Sequence, residues 1–280
     1  MKTKPAELIV EAQNKAPSID LENLLINFLP FSPLVTDKSE TDGYLHEQPF
    51  TALGGGRMQP MPMLSGTVRD EGQLFVYELF PETLNEKAYS ATLLGVFGKE
   101  VFPELIRMYP FDMIDGVDDG RVPLATLATD LIFYCPLRNA TRGYQQALGA
   151  DAVPTYQYRF DHVISFDCWG PEYWFCVDAV CHGSELLFEF DVYSFVVDGE
   201  LYDFKPTEEE KALIMDVSHL WTNFITGGDP NKGLPSGMRL MPLYREKLDE
   251  LLVLQEPAVG IVSHQRELYC DFWDRAGYFY

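Results

Sequence analysis

The stretch from Cys176 to Asp191, CVDAVCHGSELLFEFD, sets one histidine, His182, in a His-Gly turn ahead of the apolar run Leu186-Leu187-Phe188. Glycine at 183 frees the backbone to turn and lets the imidazole project into open space. A histidine held this way suits proton transfer near neutral pH, because its ordinary pKa is about 6.5. A lone histidine beside an apolar run is more often a packing residue, so the chemistry rests on a partner. Glu71, in PMLSGTVRDEGQLF, supplies one. A carboxylate that accepts from one ring nitrogen fixes the tautomer, leaves the other nitrogen as a base, and steadies the imidazolium once it forms.

The surrounding residues must bring these two side chains together. Pro62 to Val68 reads as a short strand, and Arg69 to Gly72 as a turn before the apolar Leu74-Phe75-Val76-Tyr77. A carboxylate there lies at the carboxyl edge of a sheet, where open α/β sheets build their sites. Thr155 to Asp161, TYQYRFD, alternates like a second strand. Trp169, Tyr173, Trp174 and Phe175 crowd the approach to His182, either as a pocket wall or as the packing of a long loop.

Helical spacing predicts elements over residues 5–15, 21–28, 82–97, 99–108 and 122–149, the last interrupted at Cys135-Pro136. The clearest helix runs over 206–226. Thr207 caps it, and Glu208, Glu209 and Glu210 fill a first turn whose dipole favours negative charge. Leu213, Val217, Leu220, Trp221 and Phe224 share one face, and Gly227-Gly228-Asp229-Pro230 stops it. Leu251–Leu254 reads as a late strand, Arg266–Tyr280 as a final helix, and residues 34–60 as a polar connection. No repeat or interior linker appears, so residues 1–280 read as one unit.

Several segments are together distinctive. VRDEG at Glu71, HGSELLFEF at His182, WTNFITGGDPN, Cys135 in FYCPL and Cys270 in YCDFW resemble the type-B carboxylesterase/cholinesterase family, in that family's order. PAELIVEAQ, FLPFSPLV and Asp42-Gly43 are similar to the segments that lead to its acid strand. Met241-Pro242-Leu243-Tyr244 resembles a family Trp-Pro-x-Tyr segment with Met in place of Trp. The resemblance runs along the whole chain but covers only the C-terminal half of a full member. It implies an α/β class: the C-terminal half of an α/β-hydrolase fold, the later strands of a mostly parallel sheet with covering helices. It implies Glu71 as the acid and His182 as the base of a catalytic triad, a carboxylic ester as substrate, and no cofactor or metal. It pairs Cys135 with Cys270, closing a loop that chain-entropy arithmetic credits with roughly 5 kcal/mol at most. Cys176 and Cys181 have no counterpart pair in the cholinesterases. Whether they form a second bridge stays open, with Cys168 left over.

One part of the triad is missing. The family's nucleophile is a serine in Gly-x-Ser-x-Gly, and none of the eleven serines here has glycine two residues before it. Gly54-Gly55-Gly56 reads as a flexible turn rather than the family's oxyanion loop. A base and an acid without nucleophile or oxyanion donors lack the covalent step and its main electrostatic support. This chain alone is therefore expected to be inactive. The main expectation is a fragment of a serine carboxylesterase whose N-terminal half lies elsewhere. The alternatives are an inactive esterase-like binding or adhesion domain, and one chain of a two-chain esterase.

Composition narrows the partners. A net charge of −22 repels nucleic acid and anionic membrane surfaces, and no apolar run is long enough to span a bilayer. Two bridges would require an oxidising compartment, and the resemblance implies a secreted or endoplasmic-reticulum parent protein. Asn139-Ala140-Thr141 fits a glycosylation sequon that secretion would expose. Asp118-Asp119-Gly120 lacks the rest of a calcium loop, so it reads as a solvated turn. His46 reads as a solvated residue and His219 as a half-buried surface residue.

Overall fold

Strands of five or six residues carry the site. In the computed structural model, residues 3–15, 35–36, 45–197 and 199–278 are described. Helices α1 (Ala6–Lys15) and α2 (Pro49–Gly54) precede strand β1 (Met63–Val68). Helix α3 (Glu71–Leu79) follows β1 directly. Next come α4 (Glu86–Met108), α5 (Arg121–Ala128), a π-helical segment (Thr129–Tyr134) and α6 (Cys135–Leu148). The chain then returns as β2 (Thr155–Phe160), parallel to β1, with Met63 opposite Thr155 and Val68 opposite Phe160.

After β2 a long loop contains a 3-10 turn (Pro171–Cys176) and the short helix α7 (Leu186–Glu189). A hairpin of β3 (Ser194–Val197) and β4 (Glu200–Asp203) leads to α8 (Glu208–Gly227). Strand β5 (Glu250–Leu254) pairs parallel with β2, and β6 (Gly260–Ser263) pairs antiparallel with β5. Helix α9 (Glu267–Ala276) ends the described chain. The main sheet has the order β1-β2-β5-β6. Parallel strands need long crossovers, here the helices between β1 and β2.

The apolar run 251–254 shows why the sheet is covered on both sides. Leu251 and Val253 belong to a core with Val76, Tyr89, Leu93, Leu105 and Trp273. Leu252 and Leu254 belong to another with Val68, Phe160, Leu213, Val217 and Leu220. Successive side chains of a strand point to opposite faces, so an unbroken apolar run is buried twice. Helix α8 covers the second face as its spacing predicted. Thr207 accepts from the Glu210 amide at 3.1 Å while the Glu210 carboxylate accepts from the Thr207 amide at 2.8 Å. Gly228, in left-handed conformation, closes the other end.

The structure departs from the sequence reading in specific places. Glu71 does not lie in a turn: it is the first residue of α3. The predicted division at residue 98 holds, since the helical backbone of α4 breaks at Gly98 with φ 73°, but the first helix begins only at Glu86, after the Asn85 cap. Residues 122–148 are helical throughout, with Gly149 at φ 89° ending the run, and Pro136 lies just after the junction of the π-helical segment with α6. The polar connection contains α2. The predicted helix over 21–28 lies outside the described residues. The β3–β4 hairpin and β6 were not anticipated, and α9 stops at Ala276.

Helix α3 packs closely on α5, and Gly72 is the point of contact. A Cβ there would stand 2.4 Å from the Ala125 carbonyl oxygen and 2.7 Å from the Thr129 amide, both backbone atoms that cannot step aside. Gly72→Ala should therefore destabilise the fold by about 1–3 kcal/mol through overpacking. Urea unfolding of the two proteins checks it, and an unchanged midpoint would refute the close approach.

Candidate active site

The site is built where β1 ends and α3 begins. The Arg69 amide donates to the Phe160 carbonyl at 3.0 Å, continuing the β1–β2 pairing one step past the strand. The Asp70 amide donates to the Val180 carbonyl at 3.0 Å, and the Val180 amide donates back to Asp70 Oδ2 at 2.9 Å. Arg69 Nε also donates to Asp70 Oδ2, at 3.0 Å. These contacts fasten the loop after β2 to the residue before Glu71. His182 follows two positions later.

Glu71 is 4% exposed, and both of its oxygens are engaged. Oε1 accepts from the Val68 amide at 3.0 Å. Oε2 lies 2.6 Å from His182 Nδ1. A carboxylate accepting at Nδ1 fixes the proton there and leaves Nε2 as the acceptor of the neutral ring. The ring is about half exposed and lies 5.2 Å from the Phe75 ring and 5.3 Å from that of Phe133. Its backbone forms a turn in which the Ser184 amide donates to the Cys181 carbonyl at 3.0 Å, with Gly183 at φ 89°. Only glycine takes that φ without strain.

Charge is distributed unevenly around the imidazole. The hydrogen bond to Glu71 raises the His182 pKa above the ordinary histidine value; burial opposes this, and the charges of Glu71 and Glu185 add to it. Burial, aided by the charges of Glu71 and Glu189, pushes the Glu185 carboxyl up to about 7. Its Oε2 is buried and accepts no hydrogen bond from the described residues. Glu189 is also raised by burial, although Tyr158 donates to it at 3.2 Å and counteracts the shift.

The four aromatic candidates divide. Tyr173, Trp174 and Phe175 line a hollow of about 270 Å³ together with Tyr77, Glu78 and Arg121, whose guanidinium lies 4.3 Å from the Tyr77 ring centre. Neither Glu71 nor His182 lines it. Trp169 stays outside and packs edge-on against Tyr173 at 6.2 Å. The rings that do touch His182, Phe75 and Phe133, escaped the sequence reading. Phe75 was findable, since it lies one helical turn beyond Glu71 on the same element. Phe133 was not, because only the tertiary fold brings the π-helical segment to the site.

Both cysteine pairs are bonded: Cys135 with Cys270, and Cys176 with Cys181. Cys168 is free, and burial raises its thiol to about 11. Asp119 is not simply solvated: it pairs with Arg121 at 2.7 Å. Asn139 Nδ2 donates to Asp274 Oδ1 at 2.6 Å, so the sequon residue serves the contact between α6 and α9. His46 is exposed, whereas His219 buries an Nδ1 with no partner among the described residues. No described group of three or more His, Cys, Asp or Glu could hold a metal ion, and no described helix is long and apolar enough to cross a membrane.

The profile of the carboxylesterase family matches residues 1–273. The chain belongs to the carboxylesterase family. It is 31% identical over 235 residues to the cAMP-regulated D2 protein of Dictyostelium discoideum, covering 84% of this chain and 40% of that protein. It is also 31% identical over 206 residues to acetylcholinesterase-1 of Trittame loki, covering 71% of this chain and 34% of that one. A solved structure of a PNB esterase superposes with a TM-score of 0.66 at 22% identity, covering 96% of this chain and 48% of the other. That likeness shows the α/β-hydrolase fold. The carboxylesterase chain described here thus spans less than half the length of these relatives.

The Glu185 carboxyl yields a pH prediction for this esterase-family chain. Its pKa is higher in the fold than the ordinary carboxylate value of 4.5, so the unfolded chain ionises first. Its contribution to stability therefore falls as pH rises from about 4.5 through about 7. His182 acts in the same direction, losing its contribution as pH climbs from about 6.5 through its raised folded value. Glu185→Gln removes the first effect, so the variant should gain on the wild type across pH 4.5–7. Urea midpoints at a series of pH values test this, and a gap that does not change with pH refutes it.

Proposed function

We propose that this chain supplies the general base and its orienting acid to a serine carboxylic ester hydrolase. The observation that carries the reading is the 2.6 Å contact of Glu71 Oε2 with His182 Nδ1, made by a carboxylate whose other oxygen is held by the Val68 amide. In this reading His182 Nε2 takes the proton of a serine hydroxyl as the hydroxyl attacks the ester carbonyl. It then returns the proton to the departing alcohol. Glu71 keeps the ring in the productive tautomer and stabilises the imidazolium in between. A carboxylic ester is the substrate.

The nucleophile in this proposal comes from a polypeptide segment outside these 280 residues, either a missing N-terminal half or a second chain. Two features support that. None of the eleven serines lies in Gly-x-Ser-x-Gly. Among the described residues, β1 pairs with a strand on one side only, which leaves an edge beside the site open to a further strand. We read residues 1–280 as one carboxylesterase-type domain portion carrying the later part of the fold.

The test is hydrolysis of a p-nitrophenyl ester by the chain alone and by the chain co-expressed with a nucleophile-bearing esterase segment. The chain alone should show no turnover above background, and the pair should be active. In the active assembly His182→Ala should lower kcat by about 10⁴–10⁶-fold and Glu71→Ala by about 10⁴-fold. Turnover by the isolated chain refutes the external nucleophile; near-normal turnover in either variant refutes the assigned roles.

A further inference from the structure

Four restraints meet at Cys181. Its sulfur is bonded to Cys176. Its backbone forms a parallel bridge with Asp70, the residue before Glu71. Its carbonyl accepts both from the Ser184 amide at 3.0 Å and from the Ser184 hydroxyl at 2.7 Å, closing the turn that carries His182 and Gly183. His182 is the next residue along. Cys176, Val180 and Cys181 are all fully buried, whereas Val177 and Asp178 between them are exposed.

Helix α3 holds both ends of the bridged loop. Asp70, at its N-cap, takes Val180. Gln73 donates to the Phe175 carbonyl at 2.5 Å, and the Tyr77 ring lies 5.0 Å from that of Phe175. The bridge thus joins two points fixed to the helix that begins with Glu71. His182 needs such a hold. On its C-terminal side Gly183 offers a freely turning backbone. Its half-exposed ring is packed only partly, by Phe75 and Phe133.

We propose that the Cys176–Cys181 bridge is a positioning element for His182, holding the backbone from which the imidazole reaches the Glu71 carboxylate. The inference concerns a contact within this chain, so it stands or falls independently of which reaction the pair serves. A plain loop staple would instead protect residues 176–181 without bearing on the ring.

The experiment is an NMR titration of the 280-residue chain with labelled histidine Cε1. The His182 signal is identified by its loss in His182→Gln. In the Cys176→Ala/Cys181→Ala double variant, the His182 midpoint should move down toward the ordinary value of about 6.5. The low-field signal of the Nδ1 proton shared with Glu71 should disappear. The His162 signal should stay in place, because that ring rests on Glu210 at 3.0 Å, away from the bridge and from Glu71. A double variant whose His182 midpoint and Nδ1 proton match the wild type overturns the proposal. Should the variant unfold and move His162 as well, the wild type is treated with a phosphine reductant in native buffer. Alkylation mapping then selects conditions in which Cys176 and Cys181 are open and Cys135–Cys270 is closed. The same two His182 signals decide there: movement toward the ordinary value supports positioning, and no movement overturns it.

Discussion

The site depends on one carboxylate having no freedom. Glu71 begins α3 three residues after the last residue of β1, and its Oε1 accepts from the amide of that residue, Val68. The hydrogen bond closes the strand-to-helix junction on itself, so the carboxylate's direction is set by backbone geometry and not by a flexible rotamer. A buried carboxylate must be fully hydrogen-bonded, since an unpaired charge there is expensive. Glu71 meets that need with one backbone amide and one imidazole. Removing the imidazole would leave an oxygen buried and unsatisfied, which gives the fold its own reason to keep His182 in place.

That junction is in turn held from behind. Gly72 lies against the α5 backbone, and its amide donates to Thr129 Oγ1 at 2.9 Å at the start of the π-helical segment. The segment ends at Tyr134, next to Cys135, which is bonded to Cys270 on α9. Between them Asp130 takes the Tyr109 hydroxyl at 2.8 Å and Nε of Arg266 at 2.9 Å, while Trp273 Nε1 donates to the same tyrosine at 3.0 Å. Asp130, Tyr109 and Trp273 are almost fully buried, so breaking any member strands the others. A path of packed and bonded residues therefore runs from the C-terminal helix to the acid, through elements more than a hundred residues apart in sequence.

Sequence made the pattern-rich parts readable. Thr207 and the three glutamates after it announced α8 because capping chemistry is local. Leu251 to Leu254 read as a late strand, and its burial on both faces came from the structure. Glu71 and His182 could be singled out by residue type, and their neighbouring segments carried the family resemblance. Other features are non-local. β6 is short and only partly buried, and it exists because β5 offers a partner, so nothing in GIVS demanded it. Phe133 reaches His182 only through the π-helical segment, which adds no signature to an otherwise helical sequence. The hollow beside Arg121 draws residues from three elements. Tyr173, Trp174 and Phe175 wall that hollow and Trp169 packs against Tyr173, so the two readings of these rings divide among them.

Two glutamates act on the His182 imidazole, Glu71 by direct hydrogen bond and Glu185 by its charge, and Glu189 acts in turn on Glu185. Glu71 has two donors, Glu189 has the Tyr158 hydroxyl, and Glu185 Oε2 has none among the described residues. The order of their needs follows. Donors offset the cost of burying a carboxylate, and at Glu185 burial outweighs the hydrogen bond from its own amide and raises the carboxyl to about 7. With Glu185 neutral, Glu71 is the carboxylate whose charge the imidazole feels through a direct contact. As Glu185 ionises, a second negative charge enters the same neighbourhood. It favours the imidazolium further, and a ring that stays protonated cannot accept a proton at Nε2. Burial of Glu185 opposes that outcome, because it holds the carboxyl neutral to a higher pH and so limits the negative charge acting on the His182 ring.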